Sequence, residues 1–150
     1  MTRPSEIKPR EGDVPGSKFS DFEVGAELPE TRFTITPDII AEYATAVESD
    51  PEGIELDGRR AALPSVLFVY LMSVFYRRYP PAQGGIMAGN VLRSFSPIWA
   101  DEDTEIVGTG KVEEKFTKKG RNYIKYSAIF HNATTGEKIA EAVNTSTFPA

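Results

Sequence analysis

Apolar residues recur along the chain with two different periods, and the change of period marks the predicted elements. Residues Thr31 to Thr36 (TRFTIT) alternate and are rich in β-branched side chains, which predicts a strand. Thr36 can then cap a helix, with Pro37 at its first position. The residues that follow repeat at helical spacing and give this helix one apolar face. Its apolar positions are Ile39, Ile40, Tyr43, Ala44 and Val47.

A second helical pattern is apolar on nearly every side. It is predicted to open at Pro64 and Ser65, with Ser65 as its cap, and to run to about Arg78. The sequence YPPAQGG then stops it, because two prolines cannot continue a helix. A helix that is apolar nearly all round must be covered, so we expect it to be buried. Its apolar positions are Val66, Leu67, Val69, Tyr70, Leu71, Val74 and Phe75.

Four strand patterns follow, and short turns separate the last three. They are GIMAGNVLRSFSPIW, TEIVGTGKVEEKFTKKG, YIKYSAIFHN and IAEAVNTSTF, with Gly89 as a candidate bulge in the first. Consecutive strands with tight turns pair antiparallel. The order of strand, helix, buried helix and four strands therefore predicts an α+β fold, with the helix packed on one curved antiparallel sheet.

Composition acts mainly by excluding classes of function. A chain of 150 residues suits one domain, and its net charge of −5 argues against non-specific nucleic-acid binding. Without cysteine there is no disulfide, thiol nucleophile or thiolate zinc site, and with His131 as the single histidine a multi-histidine metal site is impossible. A carboxylate-only Mg²⁺ or Ca²⁺ site stays open, although no EF-hand spacing occurs. We predict no metal centre.

The N-terminal residues and the most apolar run indicate where in the cell the protein is expected. Residues 1–18 are polar, rich in proline and glycine, and lack the apolar core of a secretory signal, so we predict a flexible segment before a single domain over 19–150. The most apolar run, Ala61 to Tyr76, falls short of the roughly 20 residues that a membrane span needs. We expect a cytoplasmic protein that does not contact a membrane.

Four stretches, in this order, resemble the MaoC-like dehydratase and (R)-specific enoyl-CoA hydratase family. The resemblance covers about Phe19 to Phe148. It implies a hotdog fold, in which a curved antiparallel sheet wraps around a long central helix, and assembly at least as a dimer through sheet edges. The four stretches are FEVGAELPETRFTITPDIIAEYATAV, AALPSVLFVYL, GNVLRSFSPIWADEDTEIVGTGKV and KKGRNYIKYSAIFHNATTGEKIAEA.

The resemblance also implies a chemistry. Family members add water to, or remove it from, an acyl thioester carried on coenzyme A or acyl carrier protein, and need no further cofactor. An Asp and a His in a loop written G-D-x-N-P-x-H position the water and move the proton, and amides near the start of the central helix hold the thioester carbonyl. This division of labour is sound, because a weakly acidic α-proton needs both a base and oxyanion stabilisation.

The corresponding loop of this chain, VESDPEG, departs from that motif. With Pro51 as the anchor, Glu48 lies at the position of the Asp, Asp50 at the Asn and Gly53 at the His. A second register places Glu55 at the His, with Asp57 just beyond it. Neither register supplies a histidine. We expect His131 to be a partly exposed residue at the far end of a strand.

We therefore predict Glu48 and Asp50 as catalytic residues, with Glu55 and Asp57 as the alternatives. Arg60, together with Arg59, either holds coenzyme A phosphates or pairs with these acids. The resemblance further places polar residues of the cleft at the helix start and on the strand after the central helix. The predicted substrate-binding residues are Ser65, Asn90, Arg93 and Arg60.

Three functions fit this pattern. The first is a hydro-lyase for acyl thioesters with a rebuilt, carboxylate-based site. The second is the non-catalytic half of a heteromeric hotdog dehydratase. The third is a scaffold that binds an acyl thioester or another small apolar ligand, or performs a different reaction on one. The expected partners are an acyl thioester and either a second copy of this chain or another hotdog protein.

Overall fold

Five strands form one antiparallel sheet, and a short buried helix lies against it. The computed structural model describes residues 3–12, 16–82 and 84–149. The order of strands across the sheet is β1-β5-β6-β7-β4. In chain order the elements are β1 (Glu27–Ile35), α1 (Pro37–Ala46), β2 (Ile54–Leu56), β3 (Arg59–Ala61), α2 (Phe68–Tyr76), β4 (Ile86–Ser94), β5 (Thr104–Lys118), β6 (Arg121–Asn132) and β7 (Lys138–Phe148).

The start of α1 confirms the predicted cap. The hydroxyl oxygen of Thr36 accepts a hydrogen bond from the backbone N–H of Ile39 at 3.3 Å, and Pro37 is the first residue of the helix. Thr36 is extended, as a capping residue should be, so the chain turns from β1 into α1 within one residue.

The central helix is shorter than the sequence and the resemblance predict. Pro64–Leu67 form a 3-10 turn, and α2 itself has only nine residues. The prediction that Ser65 caps the helix is wrong, because Ser65 lies inside the turn and Leu63 occupies the capping position without a side-chain bond. The 3-10 turn begins with the N–H of Val66 on the carbonyl of Leu63 at 3.0 Å, and this tighter winding delays the α-helix by a turn.

The core lies between α2 and the sheet, and aromatic rings fill much of it. Phe33 of β1 stacks on Tyr70 of α2 with ring centroids 4.0 Å apart, and Phe75 of α2 stacks on Tyr126 of β6 at 4.2 Å. All four side chains are buried. Each pair joins the helix to a different strand, so the helix is anchored at two places along its length.

The acidic loop, residues 47–53, is followed by a hairpin that the sequence pattern missed. Strands β2 and β3 pair antiparallel, with a two-residue turn at Asp57 and Gly58. Both turn residues have positive φ, 50° and 78°, which is the requirement of a type I′ turn. The Asp-Gly pair was therefore the available signal. The hairpin is joined to the segment before β5 by the N–H of Ala62 on the carbonyl of Ile98 at 2.7 Å.

Strand β4 lies at one edge of the sheet and carries the predicted bulge. Its register against β7 shifts between Met87 and Gly89, as expected for Gly89. In the described part of the chain β4 pairs with β7 alone, so its other edge is open. Ile86 and Val91 are 61% and 64% exposed on this strand. An open edge with exposed apolar side chains is the kind that proteins usually cover or pair.

The N-terminal segment contributes to the core. Ile7 is buried, Arg3 forms an ion pair with Glu42, and the N–H of Arg10 binds the carbonyl of Tyr76 at 2.8 Å. These contacts do not measure motion, so the flexibility of residues 1–18 stays a prediction, as does the boundary at residue 19. Met1, Thr2 and residues 13–15 lie outside the described residues.

Among the residues that the structure describes, no helix has both the length and the apolar character that a bilayer crossing requires. A cytoplasmic location stays a prediction.

Candidate functional site

Glu48 is the second residue after α1, directly after the cap residue Val47, in a conformation that ordinarily selects glycine. Its φ is 58°, its N–H binds the carbonyl of Thr45 at 3.0 Å, and the N–H of Ser49 binds the carbonyl of Ala44 at 2.7 Å. This pair of bonds is a Schellman motif, whose left-handed residue is usually glycine. A side chain there costs about 1–2 kcal/mol. The Glu48 carboxylate is exposed, and no other described residue pairs with it.

Asp50 holds the loop together through three hydrogen bonds. One carboxylate oxygen accepts the N–H of Glu52 at 2.9 Å, and the other accepts from Arg60 at 3.2 Å. Its carbonyl accepts the N–H of Gly53 at 2.9 Å. Asp50 is therefore a turn-forming residue in this arrangement, and 53% of its side chain remains exposed.

Arg60 pairs with the acids of the loop, which is one of the two roles predicted for it. Its guanidinium lies 3.1 Å from the Glu52 carboxylate and donates to the carbonyl of Gly53 at 3.4 Å. The hydrogen bond that Arg60 donates to Glu52, together with the charges of Asp50 and Glu55, raises the pKa of Arg60 above its usual value. Arg60 thus ties β3 to the loop.

Arg59 is likewise paired, with the segment before β5. It lies 2.6 Å from Asp101 and 3.3 Å from Glu102, and its guanidinium stacks over the ring of Trp99 at 4.4 Å. The hydrogen bond to Asp101 raises the pKa of Arg59 and lowers that of Asp101. Neither arginine presents a free guanidinium to a phosphate.

Gly53, at the position of the motif histidine, leaves no room for a side chain. Its φ is 83°, it is buried, and a Cβ built on it would lie 2.0 Å from the carbonyl oxygen of Ala61. The hairpin would have to move to admit any other residue. The sequence supplies no histidine at this position, and the backbone around it would exclude a histidine side chain.

Ser65 pairs with a residue that the sequence analysis assigned to packing. The hydroxyl of Tyr43, on α1, donates to the hydroxyl oxygen of Ser65 at 3.0 Å. Both residues are half-buried. The sequence shows that Tyr43 carries a hydroxyl but not which residue the hydroxyl meets, so only the folded structure could reveal this contact.

Asn90 belongs to a polar group on the face of the sheet that carries the helix. Asn144 of β7 is fully buried and donates to the carboxamide oxygen of Asn90 at 2.7 Å. Ser146 donates to Asn144 at 2.5 Å, and Asn90 in turn donates to the sulfur of Met87 at 2.9 Å. Asn144 could have been noticed, because it interrupts the apolar alternation of the last strand. Fully buried polar groups need such partners.

Arg93 does not join this group. Asn90 and Arg93 are three residues apart beyond the bulge, so their side chains lie on opposite faces of β4. Arg93 is exposed and stands opposite Glu141 of β7 in the register. The two residues cannot line the same cleft from one copy of the strand.

The remaining candidates lie apart from one another. Glu55 and Asp57 are exposed on the hairpin, Asp57 in its turn. His131 is half-buried near the end of β6, opposite Val107 and Lys138, as predicted for a strand-end residue. Among residues 3–12, 16–82 and 84–149, no three acidic, histidine or cysteine residues form a group that could hold a metal ion.

An apolar pocket of about 170 Å³ lies beneath the β2–β3 hairpin. Its walls come from the hairpin, the 3-10 turn, the segment after β4 and the start of β7. The main apolar side chains lining it are Ile54, Leu56, Leu67, Phe95, Ile98 and Ile139. Gly53 precedes the first of these directly, so the pocket begins where the acidic loop ends.

No protein-family model and no curated protein matches this chain. Solved structures do. The R-hydratase of Pseudomonas aeruginosa aligns over 87% of this chain and 84% of its own, with a TM-score of 0.66 and 16% identity. The MaoC-like dehydratase of Rhodospirillum rubrum aligns over 87% of this chain and 97% of its own, with a TM-score of 0.65 and 20% identity.

A third similar structure is a two-component assembly. The HadBC complex of Mycobacterium tuberculosis, a 3R-hydroxyacyl-ACP dehydratase, aligns over 83% of this chain and 96% of its own, with a TM-score of 0.67 and 16% identity. These likenesses confirm the predicted hotdog fold, with a short central helix in place of the long one. The roles predicted for Glu48, Asp50, Ser65, Asn90, Arg93 and Arg60 stay predictions.

Proposed function

We infer that this chain is an acyl-thioester-binding hotdog subunit of a hydratase or dehydratase, and that a second hotdog chain supplies the histidine. The observation that carries this proposal is the lack of space for a side chain at Gly53. The resemblance places the proton-transferring histidine there, and the backbone of Ala61 fills the space that its side chain needs. The thioester is carried on coenzyme A or acyl carrier protein.

The open edge of β4 supports a partner. Exposed apolar side chains on and just after this strand include Ile86, Met87, Val91 and Phe95. Burying apolar area of this kind favours association by about 25 cal/mol per Å² before the costs of binding. The heteromeric dehydratase of Mycobacterium tuberculosis is a structural precedent for a complex of this kind. A pairing of two copies of this chain would leave both sites without the histidine.

The test is hydration of a trans-2-enoyl thioester such as crotonyl-CoA, in which the hydroxyl of water joins C3 and a proton joins C2. We expect no turnover by this chain alone. Turnover should appear when it is co-purified with a second hotdog protein that carries an intact Asp and His. A Gln in place of that partner's catalytic His should abolish it. Full turnover by this chain alone would contradict the proposal.

The left-handed backbone of Glu48 favours a second candidate function, a hydro-lyase that uses carboxylates alone for proton transfer. A residue that costs about 1–2 kcal/mol in backbone strain is often retained because its side chain has a task. As the base, Glu48 would take a proton from water while the hydroxyl joins C3, and the acid so formed would return a proton to C2. Asp50 would hold the water. In this case Glu48→Gln and Asp50→Asn should each lower the rate of the isolated chain by orders of magnitude, whereas Glu52→Gln should not.

A further inference from the structure

The pocket beneath the β2–β3 hairpin is lined by elements from four parts of the chain. Leu56 and Ile54 of the hairpin lie on one side, and Leu67 of the 3-10 turn lies on another. Ile98 and Ile139 complete it from the sheet side. The hairpin is fixed above the pocket by the N–H of Ala100 on the carbonyl of Arg60 at 2.9 Å. A short hairpin thus forms one wall, and a change of side chain in it changes the pocket directly.

Two of the polar groups at this pocket, the hydroxyl of Ser96 and the N–H of Ala62, are already bonded. The hydroxyl of Ser96 lies 2.8 Å from both the Glu137 carboxylate and the carbonyl of Lys138, so it is engaged outside the pocket. The N–H of Ala62 is bonded to the carbonyl of Ile98 at 2.7 Å. A pocket with such walls offers an occupant apolar contact and little hydrogen bonding, which suits a hydrocarbon chain.

The volume limits the length of that chain. A cavity of about 150 Å³ lined by apolar side chains holds one benzene molecule, or about six carbons. The pocket here measures about 170 Å³. A hydrocarbon much longer than about six carbons would extend beyond it.

The position of the pocket links it to the acidic loop and the helix start. Ile54 follows Gly53 directly, and Pro64, which lines the pocket, precedes Ser65. A thioester whose tail fills the pocket would therefore place its carbonyl near the ends of these two segments. They are the segments in which the sequence predicted the chemistry.

We propose that the β2–β3 hairpin selects thioesters with short acyl groups, up to about six carbons, and that Leu56 sets this limit. The proposal rests on the acyl-thioester function inferred above. Leu56 is 40% exposed on a peripheral hairpin, so it can be changed without emptying the core. It acts as a specificity determinant and takes no part in proton transfer.

Calorimetric titration of the 150-residue chain with saturated acyl-CoA thioesters tests this without requiring turnover. The series runs from acetyl through butyryl, hexanoyl and octanoyl to decanoyl. We expect the affinity to rise about fourfold for each methylene group buried up to hexanoyl, and then to stop rising. Leu56→Trp should move the limit to butyryl, and Leu56→Ala should extend it to octanoyl. Val24→Trp, at a site 61% exposed and outside the pocket, is the matched control.

The outcomes separate this proposal from the proposed function. A chain-length limit that moves with Leu56, without any turnover in the co-purified complex, would retain the specificity and reject the dehydratase function. Turnover in the complex, with a chain-length preference that neither Leu56 variant changes, would retain the dehydratase function and reject the specificity. Affinity that keeps rising to decanoyl, or that Val24→Trp shifts as much as Leu56→Trp, overturns the proposal. A chain that binds no thioester contradicts both.

Discussion

The helix–sheet core and the acidic loop are held together in different ways. In the core, each side chain packs against several others, as when Phe33 contacts the rings of both Tyr70 and Phe130. In the loop, single groups hold the structure: Arg60 joins three parts of the loop to β3, and Gly53 allows one close backbone approach. The stability of the core is therefore shared among many contacts, whereas the shape of the loop depends on a few atoms.

The largest contrast should come from two phenylalanines. Phe33→Ala removes a ring that is 1% exposed and should lower the free energy of unfolding by about 3–5 kcal/mol. Phe95→Ala removes a ring that is 54% exposed and should change it by about 0.5 kcal/mol or less. Urea denaturation followed by circular dichroism measures both. Equal losses would mean that the ring of Phe95 is buried in solution, as a dimer through β4 would require.

Alkaline pH should lower the free energy of unfolding through the buried side chain of Tyr70. Burial raises the pKa of Tyr70 from the usual 10 to about 12, with Arg3 opposing the shift. The unfolded chain releases this proton near pH 10, so the free energy of unfolding should be unaffected below pH 10. It should then fall as the pH rises to about 12, by on the order of 2 kcal/mol in all.

The matched variant for this prediction is Tyr70→Phe, which keeps the ring and removes the ionisable group. Its unfolding free energy, from urea titrations at successive pH values, should fall less steeply between pH 10 and 12 than that of the native chain. Identical slopes would show that Tyr70 does not contribute to the alkaline loss.

Two glycines, one in the loop and one in the hairpin, separate backbone strain from steric exclusion. Gly53 and Gly58 have similar positive φ values, 83° and 78°, but only at Gly53 would a Cβ meet another atom. Alanine at either position should cost about 1–2 kcal/mol for the left-handed conformation. Gly53→Ala should cost about 1–3 kcal/mol more, because the added carbon displaces the hairpin. Chemical denaturation compares them, and equal losses would show that the hairpin moves freely.

The smallest expected effect has the opposite sign. Glu48→Gly relieves the left-handed strain at the end of α1 and should raise the free energy of unfolding by about 1 kcal/mol. Glu48→Gln keeps the strain and removes the charge, so it should give no such gain. Thermal unfolding of the three proteins decides this. A destabilised Glu48→Gly would point to a contact of the carboxylate that outweighs the strain.

The order of elements follows from patterns within a few residues of each position. Thr36 with Pro37 predicted the start of α1, the strand patterns predicted β4 to β7, and Gly89 predicted the bulge. The Asp57–Gly58 pair could have predicted the β2–β3 hairpin in the same way. These signals work because caps, turns and alternation depend on neighbours along the chain.

The candidate site depends on contacts between segments that are distant in the chain. The amino-acid sequence alone shows that the loop is acidic, that its motif lacks a histidine and that a helical turn starts at Pro64. Folding brings Ser65 to Tyr43 and places Arg93 on the opposite face of β4 from Asn90. It also excludes a side chain at Gly53, because this exclusion arises from the carbonyl of Ala61, which only hairpin pairing brings across the loop.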